Sequence, residues 1–248
     1  MLLLTGVAGA LAFAAMNQPT ADARTVAAAS ERIAQESAAR RDAEAAAAEA
    51  AREAKTTTIN RPDSRNLAAL FIGDSLSNDS YTTAPELGWT SLVASGLGQS
   101  LPVDRSVVAT NGQTTGDALS REYPANQDLV FVELGTNDVG RSTPLDEFAR
   151  TYASLLSGVL EASPRAQIIC LSPWNSVERS AEYAAAIDEA CVAVGGRTTS
   201  ISQIYTTQGM RAQVGDAYFG GLAPDNFHPN DAGHRAIADA VLAWISVQ

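Results

Sequence analysis

Residues 67–77 read Leu-Ala-Ala-Leu-Phe-Ile-Gly-Asp-Ser-Leu-Ser, an apolar run that stops at a glycine and leads into a serine. The run at 67–72 is too continuous for a strand with one face in water, so it predicts a strand buried on both faces. Gly73 permits a tight turn, which places Ser75 just beyond the end of that strand. A lone Gly-Asp-Ser is usually a turn serine that caps the next segment, so its meaning depends on the rest of the chain.

The C-terminal part of the chain alternates between short apolar runs and helical patterns. Further strands are predicted at 103–109, 129–134, 168–171 and 199–201. Helices are predicted at 89–97, 116–122, 145–160, 181–194 and 232–245, the third with Thr143 as its cap and Pro144 at its first position. Strands that alternate with helices form a parallel sheet covered on both faces, which predicts an α/β fold. Ligands of such sheets bind beyond the carboxyl ends of the strands.

The first residues of the chain are typical of an export signal. Residues 1–16 are apolar and uncharged, and Ala21-Asp22-Ala23 resembles a cleavage site, although the usual positive start is missing. A run of this length is shorter than the roughly 20 residues of a spanning helix, so a retained membrane anchor is the second interpretation. We therefore predict a signal peptide or membrane anchor at 1–23 and a secreted or cell-envelope location.

Residues 24–64 predict a spacer between this segment and the folded domain. Ala, Glu and Arg dominate 25–55, a composition that favours helix but offers few apolar side chains to bury. Residues 56–58 and 60–64 predict a linker, and the folded domain is expected at 65–248.

Charge is unevenly distributed along the chain, whose formal net charge is -11. Residues 64–248 hold ten Arg and twenty Asp or Glu, whereas 1–63 hold seven basic and eight acidic residues. An acidic domain without a basic patch argues against nucleic acid as a partner.

The two cysteines have two open interpretations. Cys170 lies in a predicted strand and Cys191 in a predicted helix, so they form one disulfide in an exported protein or remain two separate buried thiols. Neither has a Cys or His at metal-ligand spacing, which argues against zinc.

Polar residues follow several predicted strands. Asn137 comes just after the third strand, and its side-chain amide is either a turn former or a neutral donor suited to an oxyanion. Gly116 follows the second strand and is either a flexible turn residue or a position where a backbone N–H approaches a substrate oxygen closely.

Histidine is scarce, because only His228 and His234 occur. His228 lies in an irregular stretch three residues after Asp225, where a carboxylate can orient the ring and stabilise its protonated form. His234 lies within a helical pattern, which favours a structural role. A metal site built from Asp225, His228, Asp231 and His234 is disfavoured, because the histidines lack the i, i+4 spacing that presents two ligands on one helical face.

Four separated segments resemble the SGNH hydrolases, also called the GDSL esterase/lipase family, which is named after a Ser, a Gly, an Asn and a His in four blocks. The segments are Gly73-Asp74-Ser75-Leu76, Thr115-Gly116-Asp117, Gly135-Thr136-Asn137-Asp138 and Asp225-Asn226-Phe227-His228-Pro229-Asn230. Their order and spacing agree with the family over about residues 66 to 248. The resemblance implies a flavodoxin-like α/β/α sandwich of three layers with five parallel strands, here preceded by the N-terminal helical tail.

The resemblance also implies the roles of individual residues. Ser75 would be the nucleophile, His228 the base and Asp225 its orienting acid. The N–H of Ser75, the N–H of Gly116 and the side chain of Asn137 would form the oxyanion hole. The second block departs from the pattern at Thr114 and Thr115, where many members carry an aliphatic residue and serine, and Gly112 is an alternative to Gly116. No metal or organic cofactor is implied.

The predicted activity is hydrolysis of carboxylic esters through an acyl-enzyme. Aromatic residues make up only 6% and no long apolar insertion resembles a lid, which favours short acyl or acetyl esters of small molecules or glycans. Trp174 follows the fourth strand and is expected either to stack on a sugar at the active-site rim or to pack in the core. An acyltransferase acting on a glycan hydroxyl is the first alternative. A noncatalytic envelope-binding module is the second, and the intact Ser75, Asp225 and His228 count against it.

Overall fold

The structure is a computed structural model that describes residues 56–59 and 65–247, together with positions 28, 32, 35, 37–41 and 43. The chain divides into two units, Met1–Ala54 and Lys55–Gln248. The described positions of the first unit are helical and almost all exposed. The signal peptide or anchor predicted at 1–23 lies outside the described residues. In the described part of the chain, every helix is too short or too polar to cross a lipid bilayer.

The second unit contains the strands and most of the described helices. The strands are β1 (Thr57–Ile59), β2 (Leu67–Gly73), β3 (Val103–Ala109), β4 (Leu129–Glu133), β5 (Gln167–Leu171), β6 (Arg197–Thr199) and β7 (Ile245–Val247). Its helices are α1 (Trp89–Gly98), α2 (Thr115–Leu119), α3 (Thr136–Arg141), α4 (Leu145–Ala162), α5 (Val177–Ala193), α6 (Ser202–Thr206) and α7 (Asp231–Leu242). Short 3₁₀ segments lie at Pro85–Leu87 and Phe219–Gly221.

Five strands form the central sheet in the order β3-β2-β4-β5-β6, and every neighbouring pair is parallel. This confirms the predicted five-stranded parallel sheet. The register places Gly73 beside both Ala109 and Glu133, so β2, β3 and β4 end at one level. The loops that follow these strands therefore open onto a single rim of the sheet.

Alternate residues of the strands point into two separate cores, because successive side chains of a strand face opposite ways. On one face, the rings of Phe71 and Phe131 stack with centroids 4.6 Å apart, and Phe71 meets Trp89 of α1 edge-on at 5.3 Å. Ile237 brings α7 into the same core. Helices α1 and α7 thus cover this side of the sheet.

The opposite face packs against the two longest helices. Ile72 and Val132 share this core with Phe148 of α4 and Ile187 of α5, all of them buried. Cys170 of β5 and Cys191 of α5 form a disulfide here, with their Cα atoms 6.4 Å apart. The structure therefore agrees with the disulfide and not with two separate buried thiols. The three layers expected of the fold are therefore present.

Several predicted boundaries differ from the observed ones. Helix α5 begins at Val177 instead of 181, because the Ser176 hydroxyl accepts the backbone N–H of Arg179 and caps the helix. Helix α4 begins at the predicted place, but the capping role of Thr143 was wrong, since Pro144 is the N-cap and no side chain caps it. The sequence pattern also does not predict the short helices α3 and α6.

A two-stranded parallel sheet joins the ends of the second unit. Strand β1 pairs with β7, with Thr57 opposite Ile245 and Ile59 opposite Val247. Ile59 is only 3% exposed and belongs to the core that α1 and α7 cover. The linker predicted at 56–58 was wrong for the residues of β1, and α7 ends at Leu242, short of the predicted 245, because the chain continues into β7. The boundaries of the three predicted segments remain predictions.

Candidate active site

Ser75 and His228 meet at the rim of the sheet, although they lie far apart in the sequence. The Oγ of Ser75 is 2.8 Å from Nε2 of His228. On the other side of the ring, Nδ1 of His228 is 2.5 Å from a carboxylate oxygen of Asp225. The three side chains thus form one continuous chain of hydrogen bonds.

The loop that precedes α7 holds Asp225 in place. Its second carboxylate oxygen accepts the backbone N–H groups of Phe227 at 2.9 Å and His228 at 3.0 Å. Burial opposes ionisation of this carboxyl group, but these two hydrogen bonds and the imidazole outweigh burial and lower the pKa of Asp225. A carboxylate therefore faces the imidazole at neutral pH.

The turn after β2 presents Ser75. The N–H of Leu76 donates to the side chain of Asp74 at 3.0 Å, and the N–H of Ser80 donates to the carbonyl of Ser75 at 3.1 Å. A Cβ built on Gly73 would lie 2.5 Å from the Cβ of Ser77 and 2.8 Å from the carbonyl oxygen of Glu133. Only glycine fits at this point, which explains the residue type before the Asp-Ser pair.

Asn137 lies at the start of α3, beside the same turn. Its Nδ2 donates to Oδ2 of Asp74 at 2.7 Å and to the carbonyl of Gln113 at 3.0 Å. The side-chain amide of Gln113 in turn donates to the carbonyl of Gly73. The amide of Asn137 therefore connects the loop after β3 with the residue that precedes Ser75.

Gly116 occupies the first turn of α2, where backbone N–H groups have no partner within the helix. Thr114 and Asp117 form a capping box around this turn. The N–H and hydroxyl of Thr115 both donate to Asp138, at 2.9 and 3.1 Å, so the starts of α2 and α3 are tied together. The structure thus brings Gly116 close to the helix that carries Asn137.

Gly112, the alternative to Gly116, has a different place in the same loop. Its φ of 76° is in the left-handed region, and its carbonyl accepts a hydrogen bond from Arg141 at 2.6 Å. The turn that it permits leads the chain from β3 to α2. It lines an open cavity of about 490 Å³ together with Asn111, Arg121 and Arg141.

Trp174 does not lie on the rim. Its side chain is fully buried, and its Nε1 donates to the carbonyl of Phe227 at 2.7 Å. The ring packs edge-on against Tyr205 at 5.5 Å. A buried indole offers no face to a sugar, so the prediction that Trp174 stacks on a substrate was wrong. The ring packs in the core, which is the other interpretation that the sequence leaves open. Trp174 instead supports the residue that precedes His228.

His234 has the structural place that its helical pattern favours. It is fully buried, its Nδ1 accepts the N–H of Trp89 at 3.2 Å, and its Nε2 lies 2.9 Å from the carbonyl of Ser80. Both ring nitrogens of His228 are likewise bonded to Ser75 and Asp225. Among the described residues, no group of three or more His, Cys, Asp or Glu side chains is arranged to hold a metal ion.

Two buried carboxyl groups lie beneath this site and were missed by sequence reasoning. Asp74 and Glu133 are both fully buried and in direct side-chain contact. Burial raises the pKa of Asp74 to about 6; burial and then the charge of Asp74 raise that of Glu133 well above its usual value. Two carboxyl groups this close share one proton, and we assign this proton to Glu133. An acidic residue inside an otherwise apolar strand was the available signal.

A parallel α/β/α sandwich whose rim joins a serine, a histidine and an aspartate defines a class of hydrolases. The chain belongs to the GDSL-like Lipase/Acylhydrolase family, whose model matches residues 71–236. It is accordingly a carboxylic ester hydrolase. No curated protein sequence matches the chain.

Solved structures share this fold at low sequence identity. The psychrotrophic esterase EstA from Pseudoalteromonas sp. has a TM-score of 0.57 and 19% identity, over 72% of this chain and 96% of that one. The lipase Lip_vut3 from a goat rumen metagenome has a TM-score of 0.60 and 16% identity, over 72% and 97%. A Corynascus thermopiles (Myceliophthora fergusii) carbohydrate esterase family 2 enzyme has a TM-score of 0.55 and 21% identity, over 73% and 66%.

Proposed function

We propose that the chain hydrolyses esters with Ser75 as nucleophile, His228 as general base and Asp225 as the carboxylate that orients the imidazole. The observation that supports these roles most strongly is the continuous hydrogen bonding from Ser75 Oγ through both ring nitrogens of His228 to Asp225. A serine hydroxyl is a weak nucleophile until an adjacent base takes its proton, and this geometry supplies that base.

In the first half of the reaction, the Oγ of Ser75 bonds to the ester carbonyl carbon while its proton passes to Nε2 of His228. The carbonyl oxygen becomes an oxyanion. When the carbon–oxygen bond to the alcohol breaks, the imidazolium returns its proton to the leaving oxygen, and the acyl group stays on Ser75. Water then attacks the acyl-enzyme by the same route, releasing the carboxylic acid and restoring the serine.

The oxyanion is assigned to the N–H groups of Ser75 and Gly116 and to the amide of Asn137. In the resting site, Asn137 donates to Asp74 and to the neutral carbonyl of Gln113. An oxyanion is a stronger acceptor than a neutral carbonyl, so the amide exchanges Gln113 for the substrate while Asp74 keeps its orientation. Each such donor typically contributes about 3 kcal/mol of transition-state stabilisation.

Short acyl or acetyl esters outside the cytoplasm are the proposed substrates. The carbohydrate esterase family 2 enzyme and an esterase active on acetylated mannans have the same fold, at 21% and 22% identity. The Cys170–Cys191 disulfide agrees with an exported protein, because disulfides persist in oxidising compartments. Products formed in the presence of an alcohol acceptor would separate hydrolysis from acyl transfer to a glycan hydroxyl.

The test is a series of chromogenic esters from acetate to long acyl chains, assayed with the wild type and two variants. Ser75→Ala should abolish hydrolysis, whereas Ser157→Ala, on an exposed face of α4, should leave it unchanged. EstA is inhibited by monoethylphosphonate, so a phosphonate ester should label Ser75 in this chain and add its mass to that residue alone. Full activity of Ser75→Ala would overturn the proposed mechanism.

A further inference from the structure

Tyr81 lies in the loop that follows Ser75, and its ring stacks on the imidazole of His228. The ring centroids are 4.3 Å apart and the planes differ by 11°. At this distance and angle, the two rings overlap over most of one face of each. The phenol of Tyr81 therefore covers one face of the imidazole, in a direction perpendicular to the hydrogen bonds with Ser75 and Asp225.

A second loop contacts the ring of Tyr81. Tyr218 meets Tyr81 edge-on, with centroids 5.6 Å apart, and its hydroxyl donates to Asp216 at 2.5 Å. The N–H of Phe219 donates to the carbonyl of Thr82 at 2.7 Å, which ties the two loops together. The loop that carries Tyr218 therefore helps to hold the ring of Tyr81 in its stack on His228.

The backbone of Tyr81 is in an unfavourable conformation. Its φ is 67°, in the left-handed region that bulky residues rarely adopt. A residue persists there only when its surroundings hold it, and such residues cluster at functional sites. Asparagine or glycine would adopt this conformation at lower cost, so the aromatic side chain has a role that outweighs the strain.

We propose that Tyr81 is a positioning residue for ester hydrolysis: its ring keeps the imidazole of His228 aligned between Ser75 and Asp225 and stabilises the imidazolium that forms when Ser75 loses its proton. The π face of an aromatic ring is electronegative and attracts a cation placed above it. The benefit is larger in the transition state than in the resting enzyme, because the charge on His228 appears only there. The inference rests on the proposed role of His228 as the base.

The other groups that face His228 do not supply this stabilisation, apart from Asp225. Ser75 is neutral and bonded to Nε2, and Phe227 meets the ring edge-on at 5.3 Å. His234 interacts with His228 electrostatically, but burial lowers the pKa of His234 and keeps it uncharged. Burial, then the charge of Asp225 and a side-chain hydrogen bond with Asp225, raise the pKa of Tyr81, so its phenol stays neutral in the working range. The acidic Asp216 lies beyond Tyr218.

The test is the pH dependence of kcat and kcat/KM on a short-chain 4-nitrophenyl ester. Tyr81→Phe keeps the stack and removes only the hydroxyl that interacts with Asp225, so it separates the hydrogen bond from the π face and is the reference for Tyr81→Leu. Tyr81→Leu removes the stack and should lower kcat by about threefold to tenfold with little change in KM, since the lost interaction belongs to the transition state.

The sign of the accompanying pH shift separates this role from a structural one. His228 acts as a base only when neutral, so the acidic limb of kcat/KM reports its protonation. Without the π face, the imidazolium loses its proton more readily, and the acidic limb of Tyr81→Leu should move to lower pH by about half a unit. Phe219→Leu removes an aromatic ring that is 63% exposed in the same loop as Tyr218, and its acidic limb should stay in place.

If Tyr81→Leu does not fold, Tyr81 can be replaced by 4-cyanophenylalanine. This residue keeps the aromatic ring and its shape but has a less electronegative π face. The acidic limb of this variant should also move to lower pH relative to Tyr81→Phe. An unmoved limb, or a shift to higher pH, in a folded variant overturns the role of Tyr81. Ser75→Ala is assayed in the same buffers to separate the two proposals. If Ser75→Ala is inactive and the acidic limb of Tyr81→Leu does not move, only the role of Tyr81 is wrong. If Ser75→Ala is active, the proposed mechanism itself is wrong.

Discussion

The amide of Asn137 donates a hydrogen bond of 2.7 Å to the buried carboxylate of Asp74, the residue that precedes Ser75. The proposed oxyanion donor is thus oriented by the turn that carries the proposed nucleophile. A change in either residue alters the position of the other. We therefore predict the effects of substituting the two residues together.

Asn137→Ala should lower kcat by roughly 100- to 1000-fold, the usual effect of removing one oxyanion donor. Asp74→Asn should cause a loss of similar order, because its amide group cannot accept from both Leu76 and Asn137. If the second effect acts through the first, the double variant should be little worse than either single one.

A matched control exists on β3, where exposed Asp104 accepts a hydrogen bond from Asn66 at 2.8 Å. Asp104→Asn removes the same kind of pair far from His228 and should leave kcat unchanged. Fully additive losses in Asn137→Ala and Asp74→Asn would contradict the proposed coupling.

Glu133→Gln should keep activity within a few fold, because a glutamine amide can donate to Asp74 as the protonated carboxyl group does. It should also change the pH dependence of stability. Since burial raises the pKa of Glu133, the wild type loses stability as pH rises from about 4, where the unfolded carboxyl begins to ionise, toward the higher folded pKa.

Across that window, the free energy of unfolding of Glu133→Gln relative to wild type should increase by about 1.4 kcal/mol per pH unit. Urea unfolding at pH 4.5, 6 and 7.5 measures the trend. Glu161→Gln, on the exposed face of α4, controls for the loss of one carboxyl group. A trend of opposite sign would show that Glu133 is ionised in the folded protein.

The disulfide should contribute to stability without affecting catalysis. Cys170 and Cys191 enclose a separation of 21 residues, for which the loss of unfolded-state entropy amounts to about 3 kcal/mol. Replacing both with alanine should lower the free energy of unfolding by at least that amount, because two buried side chains are also truncated. The kcat of the folded variant should match wild type; a large drop would place the disulfide in the support of the active site.

Ile59→Ala should destabilise the second unit by roughly 2 to 4 kcal/mol, because the side chain is 3% exposed in the core beside α1 and α7. Thermal or urea unfolding measures the loss. Thr58→Ala, in the same strand with an exposed side chain, is the control for the strand itself. Equal stability of Ile59→Ala and wild type would mean that residues 57–59 act as the linker that the sequence predicts.

Much of the fold could be predicted because its signals are local. The apolar runs of β2, β4 and β5 reflect burial on two faces of one sheet, whereas β3 lies at its edge and contains exposed polar residues. The spacing of α1, α4 and α7 reflects the apolar faces that cover this sheet. The weaker predictions concern short elements: β1, β7, α3 and α6 are too brief to show a period, and their formation depends on partners elsewhere in the chain.

In the candidate site, too, some residues could be predicted from local signals and others could not. Short motifs with fixed offsets allow a prediction of the site residues, which are Ser75, Gly116, Asn137, Asp225 and His228. Trp174 was placed on the rim because it follows a strand, but the packing of α6 and the loop before α7 decided its burial. Tyr81 has no local signature, because a tyrosine in a loop acquires meaning only from its neighbours. The acidic residue at the end of the apolar strand β4 marks Glu133, but the sequence does not show that it contacts Asp74.

The sequence by itself determined the parallel sandwich, the family and the candidates for the reactive side chains, because adjacent residues carry the pattern of burial and the glycines that turns require. Only the tertiary structure decided that Cys170 and Cys191 are bonded, that Asp74 and Glu133 share a proton, and that Tyr81 covers the imidazole of His228. Those features depend on distances between residues remote in sequence, and such distances are set by how helices and loops pack around the finished sheet.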